Sequence, residues 1–275
     1  MATSVQTSYP TSYTAGIAGQ LADSGDRFIK SVIAETEIAA GLPVLRGGTT
    51  KAEGRAPFAP ATADVDAIVE TPTATATTAQ TLSGAGLDGS AVGQGEMFPP
   101  RPVTLTLNSH ADWNLTTAKI TGTDEDGNIL VEDVVIPDAG NTTVTTQRAF
   151  RTVTSVYVPG QGGTNGSFTV GFGAALGPIG PQTVHGVALY DAGREPEAYP
   201  VDYAVPCVRR GRVFMTSETS YSDMDPVYVR FVISGDEVRG HVRNSPDSTD
   251  CALFKGARFV GTGSAGAAVV ELNLP

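Results

Sequence analysis

The sequence predicts an all-β fold, and three observations predict it. Apolar residues recur at every second position in several stretches, the pattern of strands with one face in a core. No apolar run of helical period continues beyond a few turns. Glycine and proline are abundant, with Gly 32 and Pro 18 in 275 residues, and they cut the chain into short segments. Hydrophobic residues make up 40%, enough for a real core, and charged residues only 17%, below the usual share of about a quarter.

Taken in order, Met1 to Ala15 is polar, with Tyr9 and Tyr13 among serines and threonines and no core pattern. It is expected to be an extended N-terminal arm. Phe28 to Ala34 reads as a first strand and Gly41 to Arg46 as a second, after a turn near Ala39 to Gly41. Glu35 and Glu37 fall between them, as a solvated strand edge. Gly47 to Ala63 is a Gly/Pro-rich loop and Val65 to Glu70 a short strand. Thr71 to Gly95 carries repeated glycines but no G-K-[ST], so it reads as a loop or short strands and not as a phosphate loop.

Phe98 to Pro102 looks like a domain entry and Leu176 to Pro181 the matching exit. Between them six short strands are expected, a small β-sandwich. They begin with Val103, Leu105 and Leu107, then Thr116, Ala118 and Ile120, then Ile129 to Ile136. Thr142 to Thr146, the run Phe150 to Val158 and Phe168 to Phe172 follow. Thr123 to Asn128 is the hairpin turn of this unit. Its acidic run invites a calcium reading, but Gly127 comes fourth and no helices flank it, unlike an EF-hand.

After the exit, Val184 to Tyr190 is a strand. Tyr199 to Val208 contains Pro200 and Pro206 and reads as an edge strand or loop. Val227, Val229, Phe231 and Ile233 face one way, with Tyr228 and Arg230 opposite. Val238, Gly240 and Val242 face a core, with Arg239, His241 and Arg243 outward. In the last strand Ala268, Val270, Leu272 and Leu274 share the buried face. The expected division is therefore 1–15 as arm, 16–97 with 176–275 as the main barrel or sandwich domain built from both chain ends, and 98–175 as an inserted sandwich.

No catalytic, cofactor-binding or metal residue is expected. Ser109, His110 and Asp112 are too close in sequence to aim at one another, and no G-x-S-x-G elbow is present. His110, His185 and His241 show no zinc spacing and read as surface or edge residues. Cys207 and Cys251 read as buried, reduced thiols. A net charge of −11 argues against nucleic acid, which needs a basic footprint. No apolar stretch is long enough to span a membrane, and no secretory signal is recognisable. In this acidic chain the cluster Arg209, Arg210 and Arg212 stands out as a candidate contact, since arginine pairs carboxylates through two parallel hydrogen bonds.

Two stretches carry a resemblance. The ending ALFKGARFVGTGSAGAAVVELNLP resembles the C-terminus of tailed-phage structural cement proteins, which close with a "gAr…gsGgAvVeLnl" run. The beginning, GIAGQLADSGDRFIKSVIAETEIAAGLPVLRG, is similar to the start of the same family. The middle resembles, generically, the immunoglobulin-like modules inserted in phage structural proteins. The resemblance implies a virion structural protein without enzymatic activity: a capsid decoration protein on the outer head surface, bridging major capsid proteins against the pressure of packaged DNA. The acidic balance suits that outer surface. Self-association follows, a homotrimer first and a dimer second, with no nucleic acid or membrane partner. Tyr9 and Tyr13 would anchor the arm on a neighbouring subunit, and Arg209, Arg210 and Arg212 would meet an acidic capsid surface. The alternative is a tail or fibre protein binding receptors or glycans, although Trp113 is the only tryptophan.

Overall fold

A computed structural model describes residues 16–23, 25–47, 52–74, 78–90, 97–108, 116–137, 142–160, 166–193 and 198–275. The chain is all-β. Its strands are β1 (Phe28–Ala34), β2 (Ile38–Ala39), β3 (Pro43–Arg46), β4 (Glu53–Arg55), β5 (Asp64–Ala74) and β6 (Gln80–Ser83), followed by β7 (Arg101–Asn108), β8 (Thr117–Thr123), β9 (Ile129–Val135), β10 (Thr142–Phe150), β11 (Thr152–Val158) and β12 (Ser167–Phe172). The remainder are β13 (Val184–Ala188), β14 (Ala198–Tyr199), β15 (Ala204–Ser217), β16 (Pro226–Arg230), β17 (Val242–Arg243), β18 (Cys251–Phe259) and β19 (Gly266–Asn273).

One long sheet runs β1-β4-β3-β13-β15-β17-β16-β18-β19, and β1 also pairs with β15. That second pairing closes β1, β4, β3, β13 and β15 into a five-stranded barrel. Closure leaves those strands no free edge. Inside it pack Val32, Ala34, Ile38, Val44, Ala188, Tyr199, Val205 and Cys207. The strand β15 then leaves the barrel and pairs along its second half with β19, from Arg210 opposite Asn273 to Ser217 opposite Gly266. The predicted alternation of the last strand holds: Ala268, Val270, Leu272 and Leu274 are all buried. They join Phe254, Phe259, Val213 and Met215 in a second core, each large side chain contributing about 1.5–3 kcal/mol.

Two four-stranded sheets, β10-β7-β12-β5 and β6-β11-β8-β9, enclose a third core of Val103, Leu105, Leu107, Ala118, Ile120, Phe150, Val156, Phe168 and others. All six strands expected between the entry and the exit are present. The strands β5 and β6 join the same two sheets: β5 pairs with β12 and β6 with β11. Ala67, Ile68 and Val69 lie in the third core. The two sheets thus combine β5 and β6 with β7 to β12. Arg101, 3% exposed, marks their root: the guanidinium donates to the carbonyls of Ala61, Gly173 and Ala174, where the chain enters and leaves. Phe98, the expected entry, instead packs between Phe58 and Phe231 in the second core.

Other expectations need correction. Pro206 lies within β15, the longest strand, and not on an edge or loop. It pairs with Ser31, and its carbonyl accepts the Leu189 amide at 2.9 Å, so the missing N–H is the only lost donor. Ile233 and Val238 are exposed, and Arg230 is fully buried. The strand expected to run through Ile233 stops at Arg230, and only Val242–Arg243 is extended in the next segment. At that point Arg230 holds Glu218, Glu237 and Asp247 at 2.7–2.9 Å, and all three lie outside the strands. His185 lies on the fully buried β13 and is no surface residue. Cys207 and Cys251 are buried free thiols.

Candidate interaction surface

The barrel strand β1 carries apolar residues on both faces, with Lys30 and Ser31 between them. Val32 and Ala34 point into the barrel, 4% and 1% exposed. Phe28, Ile29 and Ile33 are 53%, 39% and 46% exposed. An exposed barrel face is ordinarily polar, alternating with the buried one. The turn before β15 extends the apolar strip. Ile33 stands opposite Ala204, and the Ala34 amide donates to the Tyr203 carbonyl at 2.8 Å. That brings half-exposed Val201 and Tyr203 beside the end of β1. A run of exposed large apolar residues is the mark of a contact surface.

The arginine cluster flanks this strip but does not act as one patch. Arg209 is buried. It donates to the His185 carbonyl at 3.0 Å and to the Pro275 carbonyl, tying the chain's last residue to the barrel. Arg212 pairs with Asp23 at 3.4 Å and with Glu271 at 3.0 Å, and Arg258 holds the other oxygen of Glu271. These pairs hold down the segment before β1 and the outer face of β19. Arg210 remains accessible. It stands opposite Phe28 and lies 3.9 Å from an exposed Asp26, a pair too solvated to contribute much. Of the three arginines, Arg210 alone is placed on the apolar strip. Tyr9 and Tyr13 lie outside the described residues, as do Ser109, His110, Asp112 and Trp113.

The described chain begins on the same edge of β15 that carries β1. Gly19 donates to the Phe214 carbonyl at 2.7 Å and Ala22 to the Arg212 carbonyl at 2.9 Å. The apolar strip itself escaped the sequence analysis, although FIKSVIA carries the signal. Large apolar residues fall on both of its alternating faces, beside Lys30 and Ser31, where a half-buried strand needs them on one.

Among the described residues no cluster of three metal-ligating side chains occurs. In the Thr123 to Asn128 turn, Asp124 Oδ1 accepts the amides of Asp126 and Asn128, each at 2.9 Å, and Asp126 pairs with Lys255 at 2.9 Å. The oxygens that suggested calcium serve the turn and a neighbouring strand.

Fold and surface together define a class: an all-β scaffold that shows no metal-ligating cluster among the described residues and carries exposed apolar residues along β1. Residues 135–274 match the family model described as structural cement protein (E217 gp24/Pam3 gp6). The match spans just over half of the chain, from the end of β9 through β19, and the chain belongs to this family of phage structural cement proteins. It is thus a structural component of the virion, associated with the capsid. No curated protein matches the chain.

Proposed function

We propose that this protein decorates the outer surface of a phage head, bridges neighbouring major capsid proteins and braces the shell against the pressure of packaged DNA. Membership of the cement family is the observation that carries the reading. The exposed strip on β1 supports it, because a protein that works as an assembly of copies needs a ready contact face between them.

Three copies form the working unit in this reading, and residues 1–15 of each copy cover the β1 strip of the next. The arm suits the strip. It has no charged side chain, it offers Tyr9 and Tyr13 as large amphipathic anchors, and fully extended it reaches about 50 Å. Arg210, beside the strip, is placed to pair with an acidic group on the shell. One interface of standard size buries on the order of 1,600 Å². Many copies acting together make a multivalent clamp whose avidity far exceeds a single contact.

The test is a titration of purified protein onto empty heads, followed by mass photometry of the decorated particles. Binding should saturate at a fixed copy ratio, and deleting residues 1–15 should lower both self-association and occupancy. Failure to bind heads at all would favour the tail or fibre alternative and overturn the proposal.

A further inference from the structure

The two-sheet unit touches the rest of the molecule at a second place besides its root. The turn between β8 and β9 reaches across to the segment before β13 and to β18. Its central residue, Glu125, is 1% exposed. One carboxyl oxygen, Oε1, accepts the Thr183 hydroxyl at 2.8 Å. The other, Oε2, is buried with no hydrogen-bond partner. Thr183 Oγ1 itself accepts the Gly180 amide at 3.0 Å, so the contact is knitted into the backbone of the opposing unit. On the rim, Lys255 Nζ meets Asp126 Oδ2 at 2.9 Å.

A carboxylate with one hydrogen bond and one orphan oxygen is poorly satisfied in a dry contact. A carboxylic acid is better suited: Oε2 then carries a proton and no charge is desolvated. Burial is the largest influence and pushes the Glu125 carboxyl up to about 7. The Thr183 hydrogen bond and the charges of Arg151 and Lys255 oppose this, while Asp126 adds to it. These are the charged groups that face it, from its own turn, from the β10–β11 junction and from β18.

We propose that the β8–β9 turn is a proton-operated latch between the two β units. It docks when the Glu125 carboxyl is neutral and releases when that carboxyl is ionised, leaving the two-sheet unit held by its root at Arg101. The sign follows from linkage. The docked state binds the proton more tightly than the open one, so docking is strongest below the ordinary carboxyl range and weakens as pH rises through 7. Each unit between the open and docked affinities changes the docked-to-open ratio tenfold.

Hydrogen exchange of the full-length protein tests this at the amides of Gly180, Thr183 and Val184, between pH 5 and 8, with the intrinsic base-catalysed rate divided out. Protection should fall on the order of 100-fold at most, and E125Q, which keeps a neutral side chain, should abolish that fall. Protection that does not vary with pH, or an E125Q profile that matches the parent, would overturn the latch. Should E125Q fail to fold, carbon NMR of the Glu125 carboxyl in the unaltered protein decides instead. Titration near 7 supports the latch, and titration in the ordinary carboxyl range rejects it.

Discussion

Arg230 shows how one residue can set the course of a chain segment. Its side chain is fully buried and receives Glu218, Glu237 and Asp247, while Arg243 reinforces Asp247. Alternation in the sequence placed this arginine on a solvent face, because pattern reading treats a charge as outward by default. The three carboxylates that compensate it lie 7 to 17 residues away, and nothing local announces their convergence. Arg230→Ala should cost about 2–3 kcal/mol, below the full penalty for orphaned buried charges because Glu237 and Asp247 reach solvent, measured by urea unfolding. A loss below about 1 kcal/mol would mean that the cluster is solvated. His185 makes a second case. Its Nε2 bonds the Glu53 carbonyl at 2.9 Å, which assigns the proton to Nε2 and leaves Nδ1 bare. Burial pushes the imidazole down to about 4, against an ordinary value near 6.5. The unfolded chain therefore takes up the proton first, and stability present above pH 6.5 is lost as pH falls toward 4. The loss should reach about 3 kcal/mol at most in denaturant titrations at pH 7.5 and 4.5, and should shrink in His185→Gln. A pH-independent midpoint would contradict this.

At the scale of elements, β1 and β15 decide what the molecule presents. The paired segment Phe28 to Ala34 was legible as a strand from its composition, and the last strand from its clean alternation. What was not legible is which face of β1 ends in solvent. Large apolar residues stand on both faces, and only closure of the barrel assigns Val32 and Ala34 inward and Ile29 and Ile33 outward. The arginines after Cys207 divide for a similar reason. Successive residues of a strand face opposite sides, so Arg209 turns in to the Pro275 and His185 carbonyls while Arg210 turns out. A run of basic residues in sequence is not a basic patch in space. Gly186 also sits where two strands crowd. At φ +149, a Cβ would press on the Val208 backbone, so β13 approaches β15 more closely than a side chain permits. The contact reading is tested on the strip itself. Ile33→Asp, half exposed and outward, should leave unfolding stability within about 0.5 kcal/mol, yet weaken self-association or head binding at least tenfold in a sedimentation assay. Unchanged association would remove the strip from the account.

At the scale of the whole molecule, the chain builds two β units with separate cores, threaded so that β5 to β12 fall between β4 and β13. The strand at Val65 to Glu70 resembles any short apolar strand, so its place in the two-sheet unit is not legible locally. Its partner β12 lies about a hundred residues downstream, and long-range pairing leaves no local trace. The family match covers the second half of the two-sheet unit and the return to the barrel, so family membership and fold rest on overlapping residues. The purpose proposed here is to hold a shell together. It is measured most directly by the temperature at which DNA-filled heads lacking this protein release their DNA, before and after the purified chain is added. Addition should raise that temperature and Ile33→Asp should not. Heads that release their DNA at the same temperature whether decorated or bare would contradict the proposal.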